Sequence, residues 1–225
     1  MKRNIPHVPL SIVLLLGSPL IGTSAQIAQN TPPNVVLIFA DDMGWGDVGY
    51  HGCDDVKTPH IDRIAREGVQ FSQGYVSASV CGPSRAGLIT GVYQQRFGAG
   101  ENASATGFPM IPERFKMMGL PRSQSTLAEI LRPHGYRSGM VGKWHLGVEE
   151  SLRPHSRGFN FFWGFLNGSH SYTEWETSFA HKKDAWPLFR NNTMVPAQKD
   201  IYLTDLFSDH GVNFINHKPD APFFL

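Results

Sequence analysis

The sequence predicts an α/β fold with a mostly parallel central sheet flanked by helices. Apolar runs rich in β-branched and aromatic residues alternate with segments of helical periodicity, a pattern typical of such folds. The first run, residues 35–40, has no polar position and indicates a strand buried on both faces. The chain has 225 residues, of which 41% are hydrophobic, which is enough for one domain with a substantial core.

The other elements are predicted from local patterns. A short amphipathic helix is expected from Pro59 to a stop at Gly68, with Thr58 as its N-cap and Ile61, Ile64 and Ala65 on one face. Apolar or helical periodicity defines further segments: strands at 69–76, 136–141 and 222–225, and helices at 83–90, 126–131 and 203–214. Two stretches without periodicity are predicted to be long loops: 101–123 and 165–199.

The first residues are typical of an export signal. Lys2 and Arg3 precede a short apolar run, and the small residues 23–25 suit cleavage by signal peptidase. We therefore expect a signal peptide at 1–25, a polar linker at 26–33 and a secreted or periplasmic protein. A membrane anchor is disfavoured, because prolines and glycines interrupt a run shorter than the roughly 18 apolar residues that a span requires.

Charge and cysteine content exclude some functions. With 20 basic and 19 acidic residues the formal net charge is +1, which gives no general attraction to nucleic acid. There are two cysteines, Cys53 and Cys81, so disulfides do not form the framework of the fold. A bridge between them is allowed by the count, but the surroundings of Cys81 indicate another role for that sulfur.

Asp41 and Asp42 follow directly on the first predicted strand. Two carboxylates at the end of a buried strand repel each other unless a positive charge lies beside them. Ligands of open α/β sheets bind at this edge, and oxygen ligands favour calcium or magnesium over zinc. The alternative is that the pair only begins a turn before Gly44.

Cys81 precedes a helix that Pro83 is expected to initiate. A side chain at a helix N-terminus lies among free N–H groups that favour an anionic or polarised oxygen. Arg85 adds a permanent positive charge about one turn further on. For a cysteine considered alone, a buried structural role is the alternative.

Two long motifs resemble the sulfatase family. The first motif is Cys81-x-Pro-Ser-Arg85-x-x-Leu-x-Thr-Gly91, and the second is Gly135-Tyr-x-Ser-x-x-x-Gly-Lys143-x-His145. The segments 34–44 and 58–62 are also similar to the family. The resemblance implies a sulfatase fold of the alkaline phosphatase superfamily. It further implies that residues 34–225 form the N-terminal part of a sulfatase catalytic domain.

The resemblance also implies roles for individual residues. Cys81 is expected to be oxidised to formylglycine (3-oxoalanine) by a formylglycine-generating or radical maturation enzyme. Asp41, Asp42 and the modified residue 81 are expected to hold a divalent cation, calcium with magnesium as the alternative. Arg85 is expected to position residue 81, and Lys143 and Ser169 are expected to bind the sulfate group. His145 is expected to form a hydrogen bond to the modified residue or to transfer a proton. The substrate is expected to be a sulfated small molecule or glycan.

Other readings of the sequence stay open. The same superfamily contains phosphate and phosphonate monoester hydrolases, and a secreted, non-catalytic glycan-binding protein is a further alternative. The sequence stops inside the apolar run 222–225, without the turn that normally ends a buried strand, so we expect a truncated chain. Calcium requires ~6 to 8 oxygen ligands. We therefore expect these residues alone to bind metal weakly and to turn over poorly.

Overall fold

The structure is a computed structural model, which describes residues 32–99, 119–173, 187–196, 201–217 and 221–225. The predicted signal peptide and most of the linker, as well as much of the two predicted loops, lie outside these ranges. No helix in the described ranges is both long and apolar enough to cross a membrane.

The described residues form helices and strands in the alternating order that the sequence predicts. The α-helices are α1 (Pro59–Glu67), α2 (Cys81–Thr90), α3 (Leu127–Leu131) and α4 (Leu203–Asn216). The strands are β1 (Arg137–Lys143), β2 (Phe161–Phe165), β3 (Phe189–Arg190), β4 (Thr193–Met194) and β5 (Phe223–Phe224). Short 3₁₀ turns are Trp45–Asp47, Gly49–His51, Gln94–Phe97, Arg132–His134, Glu150–Leu152 and Pro154–Arg157.

The strands form one sheet in the order β4-β3-β2-β1-β5. β1 is parallel to both of its neighbours, β2 and β5, whereas β2, β3 and β4 pair antiparallel. Residues 34–38 continue the sheet beyond β5, because Val35 forms a parallel bridge to Phe224 and Leu37 donates to the carbonyl of Leu225 at 2.7 Å. The predicted α/β fold with parallel central strands is confirmed.

Apolar side chains cover both faces of the central strands. Phe162 and Leu166 pack into one core cluster with Trp144, while Trp163 and Phe165 pack on the opposite face. The opposite face lies under α4, whose Leu203, Leu206 and Phe207 join the second cluster. The aromatic residues of 159–165 therefore belong to the core, because parallel strands between two layers bury both faces.

A buried arginine joins the loops on one side of the sheet. Arg157 is 1% exposed and donates to Glu129, at 3.1 Å, and to the backbone carbonyls of Leu120 and Gln124. Thr126 caps α3 through the backbone N–H of Glu129, and the Glu129 side chain accepts in return from the backbone N–H of Thr126. This capping box explains why α3 begins where the sequence places it.

Three local predictions are wrong. Residues 35–38 are extended but 37 to 80% exposed, so they form an open edge and are not a strand buried on both faces. Residues 69–76 form no strand, and their large apolar side chains are exposed. Inside the predicted loop 165–199, β3 and β4 form a short hairpin, since Asn191 adopts the positive φ of 55° that a tight turn requires and asparagine tolerates.

Gly164 lies opposite Gly142 in the β1–β2 pair, and a Cβ atom at residue 164 would overlap the carbonyl oxygen of Gly142. We expect Gly164→Ala to lower the free energy of unfolding by about 1–3 kcal/mol, because the strands must separate to admit the methyl group. Urea unfolding measures the change. Gly46→Ala is the control, since among the described residues no atom outside its own turn of the chain lies within 4 Å of the added Cβ. Equal stability of the two variants would contradict the prediction.

Candidate active site

Charged side chains meet at the carboxyl edge of the sheet. Lys143 is the last residue of β1, and Asp41 follows the extended segment beside β5. The ammonium of Lys143 lies 2.6 Å from the carboxylate of Asp41. Because β1, β5 and residues 34–38 run parallel, their carboxyl ends reach the same edge, which is where open α/β sheets bind ligands.

Asp41 is shared between two cations. Besides Lys143, the guanidinium of Arg85 lies 3.2 Å from the same carboxylate oxygen. Burial alone raises the pKa of Asp41, but the hydrogen bond from Lys143 and the charge of Arg85 outweigh it and hold the pKa below its ordinary value. The carboxylate is therefore ionised at neutral pH and ties two segments of the chain together.

Helix α2 brings Cys81 to this edge. Cys81 is the first residue of α2, and Pro83 within the first turn has no N–H that the helix would need to satisfy. Ser84 donates its hydroxyl to the carbonyl of Cys81 at 3.0 Å. Cys81 is partly exposed and its sulfur is not in a disulfide. Cys53 and Cys81 are not joined to each other in the structure.

Arg85 links the helix to the sheet. Its guanidinium donates to the backbone carbonyl of Lys143 as well as to Asp41, and it lies 5.5 Å from the ring centroid of Phe39. Burial lowers the pKa of Arg85, and the nearby carboxylate of Asp41 opposes that shift most strongly, with smaller opposing contributions from Cys81 and Asp42. The side chain therefore stands within electrostatic reach of all three predicted metal-site residues.

Trp144 and His145 continue the register of β1 beyond its end. Their backbone N–H groups donate to the carbonyls of Phe165 and Leu166, and the buried Trp144 indole donates to the carbonyl of Leu152 at 3.0 Å. His145 is 2% exposed and has a φ of 59°, an uncommon backbone conformation for a residue other than glycine. This anchoring fixes Lys143 and His145 on either side of a core tryptophan.

Burial lowers the pKa of His145 to about 4, with the charges of Lys143 and Arg85 adding to the shift and that of Asp41 opposing it. The ring is then neutral at pH 7.

Between pH 6.5 and pH 4 the unfolded chain binds a proton that the folded chain excludes, so we expect stability to fall by up to about 3 kcal/mol over that interval. NMR titration of the His145 ring together with urea unfolding at each pH tests this, and a ring pKa near 6.5 would contradict it. His145→Gln should remove this share of the pH dependence.

The predicted metal ligands are brought together only in part. Asp41 and Asp42 are consecutive, and Asp42 has a φ of 55°, which aspartate tolerates better than most residues. Across the described ranges, no three His, Cys, Asp or Glu side chains form a group able to hold a metal. Two carboxylates fit the oxygen preference of calcium or magnesium, yet they supply only part of the ~6 to 8 ligands that calcium takes.

The remaining predicted residue, Ser169, is exposed in the loop that follows β2. Sequence reasoning overlooked Gln94, which is fully buried and donates its amide to the carbonyl of Ser77 at 3.0 Å. This bond holds the segment that leads into Cys81 against the turn after α2. No local pattern marks Gln94, because a glutamine in a Gly- and Tyr-containing turn is ordinarily exposed.

Comparison with known proteins identifies the family. The family profile described as Sulfatase matches residues 33–225. The chain is 42% identical over 154 residues to human arylsulfatase A, which covers 66% of this chain and 29% of that enzyme. It is 34% identical over 226 residues to mouse N-acetylgalactosamine-6-sulfatase, which covers 94% of this chain and 42% of the relative.

Comparison of the fold with solved structures supports the same family. The crystal structure of Ps i-CgsB in complex with k-i-k-neocarrahexaose matches with a TM-score of 0.75 and 35% identity, over 86% of this chain and 44% of that one. The chain thus spans less than half the length of these three relatives. Since the family profile covers nearly all residues from the end of the predicted linker onward, this chain belongs to the sulfatase family.

Proposed function

We propose that this chain provides the nucleophile-bearing part of an enzyme that hydrolyses sulfate esters. One observation supports this most strongly: Arg85, one turn into the helix that begins at Cys81, contacts both Asp41 and the carbonyl of Lys143. These residues come from three separate segments and are the ones that the two sulfatase motifs and the opening segment single out. Membership of the sulfatase family supports the same activity.

In this proposal Cys81 is oxidised to formylglycine, and the hydrated aldehyde is the nucleophile. One hydroxyl gives up its proton and its oxygen bonds to sulfur while the bond from sulfur to the alcohol oxygen breaks, and that oxygen takes up a proton to leave as the alcohol. The second hydroxyl then loses its proton, the carbonyl re-forms, and the carbon–oxygen bond to the sulfate group breaks. Serine or cysteine has no second hydroxyl and cannot release sulfate by this route.

The other residues bind and orient. Asp41 and Asp42 would hold calcium, or magnesium, which when bound supplies positive charge against the sulfate ester. Lys143 is proposed to bind the sulfate group with help from Ser169, and Arg85 to fix the position of residue 81. His145, neutral at pH 7, can hydrogen-bond the second hydroxyl and accept its proton.

The substrate is proposed to be a sulfated small molecule or a sulfated glycan. Two relatives support both classes, since one is human arylsulfatase A and the other is mouse N-acetylgalactosamine-6-sulfatase. We also propose that a formylglycine-generating or radical maturation enzyme is a transient partner and that the protein is exported. N-terminal sequencing of the exported product should begin after Ala25.

Mass spectrometry tests the central step. The chain is coexpressed with a cysteine-type maturation oxidase, and the tryptic peptide that contains Cys81 is expected to lose about 18 Da as the thiol becomes an aldehyde. The peptide with Cys53 is the internal control and should keep its mass. A thiol at residue 81 under every maturation condition would contradict the proposed chemistry.

Paired substrates test the reaction class. The matured chain with calcium is expected to hydrolyse nitrophenyl sulfate faster than nitrophenyl phosphate, although slowly, because two carboxylates complete only part of a calcium site. Faster hydrolysis of the phosphate would instead support the phosphate or phosphonate esterase alternative. Binding of sulfated glycans without any turnover, unchanged in Cys81→Ala, would support the non-catalytic alternative.

A further inference from the structure

The two aspartates proposed to hold the metal lead directly into a compact double turn, residues 44–53. The carboxylate of Asp47 closes the first turn, because it accepts a hydrogen bond from the backbone N–H of Gly44 at 2.6 Å. The backbone N–H of Cys53 closes the second turn by donating to the carbonyl of Val48 at 3.3 Å. Val48, between the two turns, is 2% exposed, so the double turn is packed onto the protein.

An aromatic contact joins the two turns into one unit. The rings of Trp45 and His51 are stacked, with centroids 3.9 Å apart and an angle of 14° between their planes. Nδ1 of His51 lies 2.5 Å from the carbonyl oxygen of Trp45. A carbonyl oxygen only accepts, so Nδ1 is the donor and carries the hydrogen. A displacement of the second turn is therefore passed on to the first.

The start of α1 ties this unit down through two side chains. The hydroxyl of Thr58 accepts from the backbone N–H of Gly49 at 2.8 Å and donates to Asp62 at 2.8 Å. The same oxygen of Asp62 accepts from the backbone N–H of Tyr50 at 3.0 Å. The contact is close, since a Cβ atom at residue 49 would lie 2.5 Å from the other carboxylate oxygen of Asp62. The double turn is thus attached to α1 at two consecutive residues.

The backbone at Asp42 is held from both sides. On one side the carboxylate of Asp41 lies 2.6 Å from Lys143 and 3.2 Å from Arg85. On the other side Gly44 is fixed by the double turn. Asp42 has a φ of 55°, and a backbone conformation that is sparsely populated outside glycine persists where the surrounding structure holds it. The direction in which the Asp42 carboxylate points therefore depends on contacts that begin at α1.

We propose that Thr58 and Asp62 are positioning residues for the metal site. Acting through the double turn, they hold the carboxylate of Asp42 where it can bind the same cation as Asp41. Groups that orient metal ligands through hydrogen bonds contribute to affinity without touching the metal. The inference rests on the proposed function only in taking Asp41 and Asp42 as the metal ligands. It requires neither formylglycine nor turnover.

A calcium titration of the unmodified chain tests the proposal. Binding is followed by NMR at the amides of Asp42 and Met43, so that weak affinity can also be measured. Asp62→Ala is expected to weaken calcium binding by about 10- to 100-fold. The amide of Tyr50 should exchange faster in this variant, because it loses its acceptor. Asp62→Asn keeps an oxygen acceptor and should bind within about threefold of the parent chain.

Two control variants separate positioning from charge and from general stability. Asp55→Ala removes one carboxylate from an exposed position in the same part of the chain, so its calcium affinity should stay within about threefold of the parent. Ala65→Gly weakens α1 but leaves the side chains of Thr58 and Asp62 in place. It should lower the stability of the chain and leave calcium affinity unchanged.

A second pair of variants covers the case that Asp62→Ala does not fold. Thr58→Val keeps the shape of the side chain but removes the hydroxyl, so it should weaken calcium binding. Thr58→Ser restores a hydroxyl and should restore affinity.

Three results would overturn the proposal. The first is a parent chain in which calcium does not shift the amides of Asp42 and Met43. The second is an equal loss of affinity in Ala65→Gly and Asp62→Ala. The third is unchanged affinity in Asp62→Ala although the amide of Tyr50 has lost protection. Failure of Cys81 to be oxidised would leave all of these measurements unaffected, so the proposed function and this inference can fail separately.

Discussion

Replacing Cys81 by serine is expected to remove all aldehyde from the protein. After coexpression with an oxidase that acts on cysteine, an aminooxy probe should label the parent chain and leave Cys81→Ser unlabelled. In the matured chain with calcium, turnover of nitrophenyl sulfate should be lost in Cys81→Ser, because serine has no second hydroxyl with which to release the sulfate. This is the largest effect on activity that the structure predicts.

The second cysteine provides the matched control. Cys53 is likewise partly exposed, but it lies outside the motif that begins at Cys81. Cys53→Ser should therefore be labelled and should turn over like the parent. Labelling that follows Cys53, or full activity in Cys81→Ser, would contradict the assignment of the nucleophile.

Replacing Arg157 by alanine is expected to lower the free energy of unfolding by about 3–5 kcal/mol. The substitution leaves Glu129 without its ion-pair partner and the carbonyls of Leu120 and Gln124 without their donor. The cost arises mainly from the backbone carbonyls, which lose a buried donor, because the Glu129 side chain is 32% exposed and regains part of its hydration. Urea unfolding followed by circular dichroism measures the loss.

Two further arginine variants test whether the loss of stability comes from the buried hydrogen bonds of Arg157. Arg157→Lys keeps the charge but cannot reach three acceptors in a planar fork, so its stability should be intermediate. Arg122→Ala removes an exposed side chain with one long bond, 3.4 Å, to the carbonyl of Ser151 and should change stability by less than about 0.5 kcal/mol. Equal losses at residues 122 and 157 would show that the buried network has no special role.

The elements that sequence reasoning predicted well are those whose signals are local. Helix α1 begins at a proline and ends before a glycine, and α3 has a complete capping box. The strand β1 and the helix α2 were recognised from apolar content and from the motif that begins at Cys81. Asp41, Arg85 and Lys143 were all predicted as site residues, and the structure brings them into contact.

The errors come from signals that depend on distant partners. The apolar run 35–40 is typical of a buried strand, but burial depends on a neighbour on each side, and the described structure supplies one. The hairpin β3–β4 has only two residues in each strand, too few for a periodic pattern. Gln94 donates a hydrogen bond to the backbone carbonyl of Ser77, in the segment that leads to Cys81. A contact to a backbone carbonyl does not depend on the side chain of its partner, so residue spacing does not predict it.

The contacts of Arg85 have a consequence for the order of folding. Its two acceptors lie 44 and 58 residues away along the chain, whereas the helix that carries it needs only neighbouring residues to form. Closing loops of that length costs entropy before any contact compensates for it, so such pairings form late. We expect refolding experiments to show the helical signal first and the ion pairs of Asp41 with Arg85 and Lys143 last, so that these ion pairs report completion of the native state.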